Sequence, residues 1–155
     1  MPLYWVTQSV GAAGAARTAA FDAVELTPAT GIIRVKRLCI WQTTDLGDAQ
    51  EEVLLVEWIR GYTTTGSGNV TTVQTPLNAF DSAATVTAKL LASTVATAGS
   101  PVPLGVMGWN IRIPLDVLFP PGEEIVARGT TRLVARVSAP ADSITVNASC
   151  LYEQL

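Results

Sequence analysis

The sequence predicts an all-β protein: an antiparallel β-sandwich, jelly-roll-like, with an N-terminal arm. Three observations carry this. Apolar residues alternate with period two through much of the 155-residue chain. The 12 glycines and 9 prolines supply short polar joints between those stretches. No segment joins a capping signature to a sustained 3.6-residue period, and no strand–helix alternation is visible. The length fits one domain with its own core, here residues 17–155, preceded by an arm and linker at 1–16. An immunoglobulin-like sandwich is the alternative topology, weakened by the lack of Cys-Trp-Cys spacing.

Residues 4–10 read as a short strand, followed by the small-residue linker GAAGAA at 11–16. Tyr4 and Trp5, ahead of that linker, are assigned as an anchor on a partner surface, because aromatic side chains give large contact area with few rotors. A strand at the edge of the chain's own sheet is the competing reading. Residues 21–26 fit an edge strand, and TPATG at 27–31 is a turn. In the strand at 32–41, Ile33, Val35, Cys39 and Trp41 share one face with Arg37, while Arg34, Lys36, Leu38 and Ile40 share the other.

Residues 53–62 are apolar on both faces and must be covered on both. Leu54, Val56 and Trp58 are assigned to a subunit interface, with Trp58 also a candidate for the core. Residues 83–98 suit helix or strand; their β-branched Thr and Val residues favour strand, and a turn follows at Gly99-Ser100-Pro101. In the strand at 106–113, Trp109, Ile111 and Ile113 share a packing face, and Arg112 on the other face is placed to reach a carboxylate on a neighbouring strand or subunit. Pro114 ends it. Strands at 124–128, 132–139 and 143–152 follow. Trp41, Trp109, Ile111, Val134 and Val146 are the expected core packing.

The chain has no histidine. That removes His-based acid–base and nucleophile chemistry and most zinc or non-haem iron sites. Paired carboxylates remain: Asp45/Asp48, Glu51/Glu52 and Glu123/Glu124, with Asp116 nearby. Their settings suit turns and ion pairs, with Arg128 or Arg112 as partners for the glutamates. A non-enzyme without metal or cofactor is expected. The ten basic residues are scattered, so no nucleic-acid groove is expected. No apolar run approaches the ~20 residues of a membrane helix, and MPLYWVTQSV has no secretory pattern. Charged residues are 15% of the chain and hydrophobic residues 48%, which directs the excess apolarity to a subunit interface. Cys39 and Cys150 read as free buried thiols, with a bridge left open.

The segments GWNIRIPLDVLFPPGEEIVARG and TTRLVARVSAPADSITVNASCLYEQL, with IIRVKRLCIW, resemble the small β-sandwich structural proteins of tailed bacteriophages. The resemblance implies a virion component on the capsid surface, such as a decoration or cement protein. It implies a homotrimer in contact with the major capsid protein or another virion protein, assembled in the host cytoplasm, with no catalytic residues. A carbohydrate- or receptor-binding module of a phage tail or head fibre, using an exposed Trp with a nearby Asp or Asn, is the second reading. A glycoside hydrolase is the third, and would need two carboxylates roughly 5 Å or roughly 7 to 9 Å apart.

Overall fold

The alternation becomes twelve strands in the computed structural model, which describes residues 1–9, 13–43 and 52–155. They are β1 Leu3–Gln8, β2 Ala15–Arg17, β3 Phe21–Pro28, β4 Ile32–Gln42, β5 Val53–Thr64, β6 Thr72–Pro76, β7 Val86–Ala92, β8 Thr97–Asn110, β9 Leu115–Leu118, β10 Ile125–Arg128, β11 Arg132–Val137 and β12 Ile144–Gln154. No helix occurs among the described residues. One sheet runs β10-β4-β12-β1-β6, with β2 on β12 and β9 on β4; the second runs β7-β3-β11-β5-β8. All pairings are antiparallel. The first strand pairs with the last (β1 with β12), and β3 pairs with β11; β12 then adds β4, and β11 adds β5. This nesting of early strands against late ones is that of a rolled-up hairpin, and the fold is a β-sandwich with jelly-roll-like pairing.

The two inner faces meet over Val6, Phe21, Leu26, Ile33, Val35, Leu38, Ile40, Leu133, Val146 and Tyr152, all fully buried. Aromatic pairs pack in this core: Tyr4 stacks on its cross-strand neighbour Tyr152 with centroids 5.4 Å apart, and Phe119, just after β9, meets Trp58 of the other sheet edge-on at 6.0 Å. The phenols are satisfied, Tyr152 by donating to Gln74 Oε1 at 2.8 Å and Tyr4 by donating to the Ser82 carbonyl at 2.9 Å. Cys150 lies in this core, while Cys39 pairs with Ser149 and faces outward. Neighbours along a strand point to opposite faces, so both thiols are free.

The structure corrects several expectations. Residues 3–8 are no arm: β1 is bonded to β12 on one side and β6 on the other, and Tyr4 is 1% exposed. The strand at 21–28 is interior, between β7 and β11. In β4 a bulge opposite Leu151/Tyr152 inserts Lys36 and shifts the alternation by one residue. Ile33 and Val35 before it, and Leu38 and Ile40 after it, all face inward. Trp41, expected in the core, is carried to the outer face and is half-buried.

The turn expected at Gly99-Ser100-Pro101 does not form; β8 runs through it, paired to the end of β5. There the two backbones approach so closely that a Cβ on Gly61 would lie 2.4 Å from the Ser100 carbonyl oxygen, and one on Gly99 2.4 Å from that of Gly61. Both residues have positive φ, 106° and 82°. Only glycine fits either position without strain.

Candidate functional site

The assigned interface residues Leu54, Val56 and Trp58 lie between the sheets, at most 2% exposed. Their register explains it: Trp58 pairs with Ala135, Val56 with Val137 and Leu54 with Trp109, on the inner faces of β11 and β8. The opposite face of β5 is the one left open. Val53 is 63% and Leu55 55% exposed, and Val106, opposite Glu57 on β8, is 62% exposed. With Ala20, Glu57, Arg136 and Ser138, Leu55 and Val106 border a shallow hollow of about 270 Å³. The backbone beneath is fixed, since Leu55 N–H donates to Ser138 Oγ at 3.0 Å and Ser138 N–H to the Leu55 carbonyl at 2.9 Å. The result is an exposed apolar strip on a hydrogen-bonded sheet.

Beside that strip the outer face of the same sheet carries a buried ionic network. Asp22 and Glu25 on β3 are three residues apart and would face opposite ways in a regular strand. A bulge against β11 puts Arg136 across from Asp22 and Val134 across from Glu25, so both acids face outward. Arg136 Nε donates to Asp22 Oδ1 at 2.8 Å, Arg136 Nη1 to the Tyr62 hydroxyl at 2.8 Å, and Ala96 N–H to Asp22 Oδ2 at 2.5 Å. Arg132 Nε, Thr65 Oγ1 and Gly66 N–H converge on the Glu25 carboxylate, and Lys89 Nζ donates to Thr65 Oγ1 and the Gly66 carbonyl. Burial pushes the Asp22 carboxyl above the usual carboxylate range, an effect that Arg136 and the Ala96 N–H only partly offset. Every carboxylate here is engaged, so the network is a structural clasp. Val134 is buried on this same face, level with Ile59 and Glu25, away from the inter-sheet cluster.

On the opposite sheet, Trp5 of β1 and Trp41 of β4 stand half-buried on the outer face, flanking β12. They border a cleft of about 360 Å³ with Thr7, Gln8, Ser9, Asn147 and Ser149. Trp5 and Arg37 lie on either side of Leu151, and the Arg37 guanidinium sits 6.0 Å from the Trp5 ring centroid. Asp116 holds that guanidinium with two hydrogen bonds of 2.7 and 2.5 Å, and its Oδ1 also accepts from Cys39 Sγ at 3.3 Å. Burial first, then Asp116, raises the Cys39 thiol pKa.

The remaining assignments fall as follows. Trp109 and Ile111 are each 1% exposed, and Trp109 Nε1 donates to the Ile113 carbonyl at 2.9 Å; β8 ends at Asn110, and Ile113 is exposed. Arg112 lies in the turn after β8, exposed, its N–H donating to Asn110 Oδ1. Glu124, expected to meet Arg128 or Arg112, accepts instead from Lys36 at 2.8 Å and from Gly122 N–H at 2.7 Å. Asp45, Asp48 and Glu51 lie outside the described residues. Phe80 escaped the sequence reading: it is 96% exposed in a turn closed by Asn78, whose side chain accepts from Phe80 N–H and whose carbonyl accepts from Asp81 N–H. Its only sequence signal was an aromatic residue inside TPLNAFDS.

No known protein family matches the chain, and no curated protein matches it. Among solved structures it is similar to a chain of the T13 IBDV viral particle, at 10% identity and a TM-score of 0.20 over 99% of this chain and 39% of that one. It is also similar to a chain in the T=1 particles derived from infectious bursal virus, at 15% identity and a TM-score of 0.13 over 99% of this chain and 37% of that one. The likeness is to virus particles and is weak; this chain spans less than two fifths of either.

Proposed function

We propose that the chain is a non-enzymatic structural protein of a virus particle, a capsid decoration or cement protein that forms a homotrimer on the capsid surface against the major capsid protein or another virion protein. The observation that carries this reading is the exposed apolar strip of Val53, Leu55 and Val106 on β5 and β8. These side chains stand on a hydrogen-bonded sheet, so burying them against another molecule orders little that is not already ordered. Each Å² removed from water contributes about 25 cal/mol. The resemblance of residues 104–155 to tailed-phage sandwich proteins supports the class of partner, and the lack of histidine supports a role without acid–base chemistry.

Sedimentation velocity of the full chain tests it, with Val53→Glu/Leu55→Glu as the variant and electron microscopy of the source particle alongside. A trimer that the double variant reduces to folded monomer, and density for the chain on the shell, are expected. A wild-type chain that stays monomeric at micromolar concentration and is absent from the shell overturns the reading.

A further inference from the structure

We infer that the cleft between Trp5 and Trp41 on the outer face of the β1–β12–β4 layer binds a neutral saccharide. This inference stands apart from the assembly reading, because the cleft and the Val53/Leu55/Val106 strip belong to different sheets. The class of ligand follows from the lining and size of the cleft.

Two half-buried indoles flank it, and a sugar ring presents flat C–H faces that pack on such surfaces. Between them lie hydroxyl and amide side chains, Thr7, Gln8, Ser9, Asn147 and Ser149, which donate and accept as sugar hydroxyls do. Among the described residues that line the cleft none is ionisable, and the nearby Arg37 guanidinium is already held by Asp116. Gln8 Nε2 is buried without a hydrogen-bond partner. A buried donor left in that state is unfavourable. Asn147 and Ser149, 7% and 6% exposed, form a polar floor already in place. The volume, about 360 Å³, lies in the lower part of the roughly 300–1,000 Å³ range of small-ligand clefts. Arg37 acts as a positioning residue, holding the Trp5 ring through its cation–π contact.

The test is a printed array of neutral and acidic glycans probed with the full-length chain, followed by calorimetric titration of the strongest neutral oligosaccharide. Trp5→Ala and Trp41→Ala are each expected to weaken binding by about tenfold or more. Gln8→Ala weakens it severalfold, and Val53→Glu/Leu55→Glu leaves it unchanged. Circular dichroism checks folding, and Trp41→Phe, which keeps an aromatic face, replaces Trp41→Ala if the latter does not fold. Failure to bind any neutral glycan, selective binding of acidic glycans, or affinity unaltered in folded Trp5 and Trp41 variants overturns the proposal.

Discussion

Arg136 and Asp22 face each other on the outer side of β11 and β3, joined by hydrogen bonds of 2.8 and 3.3 Å, with the Asp22 side chain wholly buried and the Arg136 side chain 19% exposed. Arg136 Nη2 also donates to the Ala96 carbonyl at 2.7 Å, while Ala96 N–H donates to Asp22, so one ion pair fastens the entry of β8 onto the sheet.

Removing one partner strands the other. Arg136→Met is expected to destabilise the fold by about 3–5 kcal/mol in urea denaturation at neutral pH, and Asp22→Asn in the same chain to restore much of it. The Asp22 pKa is already raised in the fold. Its protonated form therefore favours the folded state at low pH, and that contribution fades as pH rises through the folded pKa. Losing Arg136 raises this pKa further, so the variant should be less impaired at acid than at neutral pH. An equal penalty at both would contradict the assignment.

The crossing of Gly61 and Gly99 leaves no room for a methyl group. Gly61→Ala or Gly99→Ala is expected to cost about 1–3 kcal/mol, combining positive-φ strain with a clash against a carbonyl oxygen. A thermal melt reads this directly, and an unchanged midpoint would show that the β5–β8 ends separate freely.

The two faces of β5 should respond in opposite ways. Val56→Ala and Leu54→Ala, which truncate side chains at most 2% exposed, should lower stability by about 1–4 kcal/mol. Val53→Ser and Leu55→Ser should stay within about 0.5 kcal/mol of the parent monomer's stability. Chemical denaturation of all four separates the inner row of β5 from the outer one.

Lys36 holds the Glu124 carboxyl pKa down to about 2 from an ordinary 4.5, with the Gly122 N–H assisting. A depressed carboxylate pKa adds stability that is fully present above the ordinary value and is lost as pH falls through the folded one. Unfolding of the parent chain and of Glu124→Gln should therefore converge as pH drops from about 4.5 towards 2. Carboxyl NMR titration of Glu124 checks the cause.

Much of the fold was legible because sheet periodicity is local: the cores of β4, β5, β11 and β12 and the last residues of β8 follow from alternation, and the β-branched 83–98 segment does contain β7. What alternation cannot show is a bulge. One inserted residue at Lys36 reversed the faces of Cys39 and Trp41, and another irregularity brought Asp22 and Glu25 to one side of β3. Nor does a local pattern show that Leu3 pairs with Glu153, so a strand within the sheet was read as an arm. The face of β5 left open depends on which of two apolar rows meets the second sheet, and Trp58, by its bulk, takes the inner one.

The placement of β12 between β1 and β4 has a kinetic consequence. Residues 144–154 are synthesised well after both, and until they emerge, neither β1 nor β4 has the neighbour it shares with the other. This protein therefore closes late and slowly, as expected of a chain whose contacts join distant segments. A nascent chain stalled before Ile144 would leave the greasy rows of two layers unsheathed, at the mercy of chaperones and of its own siblings.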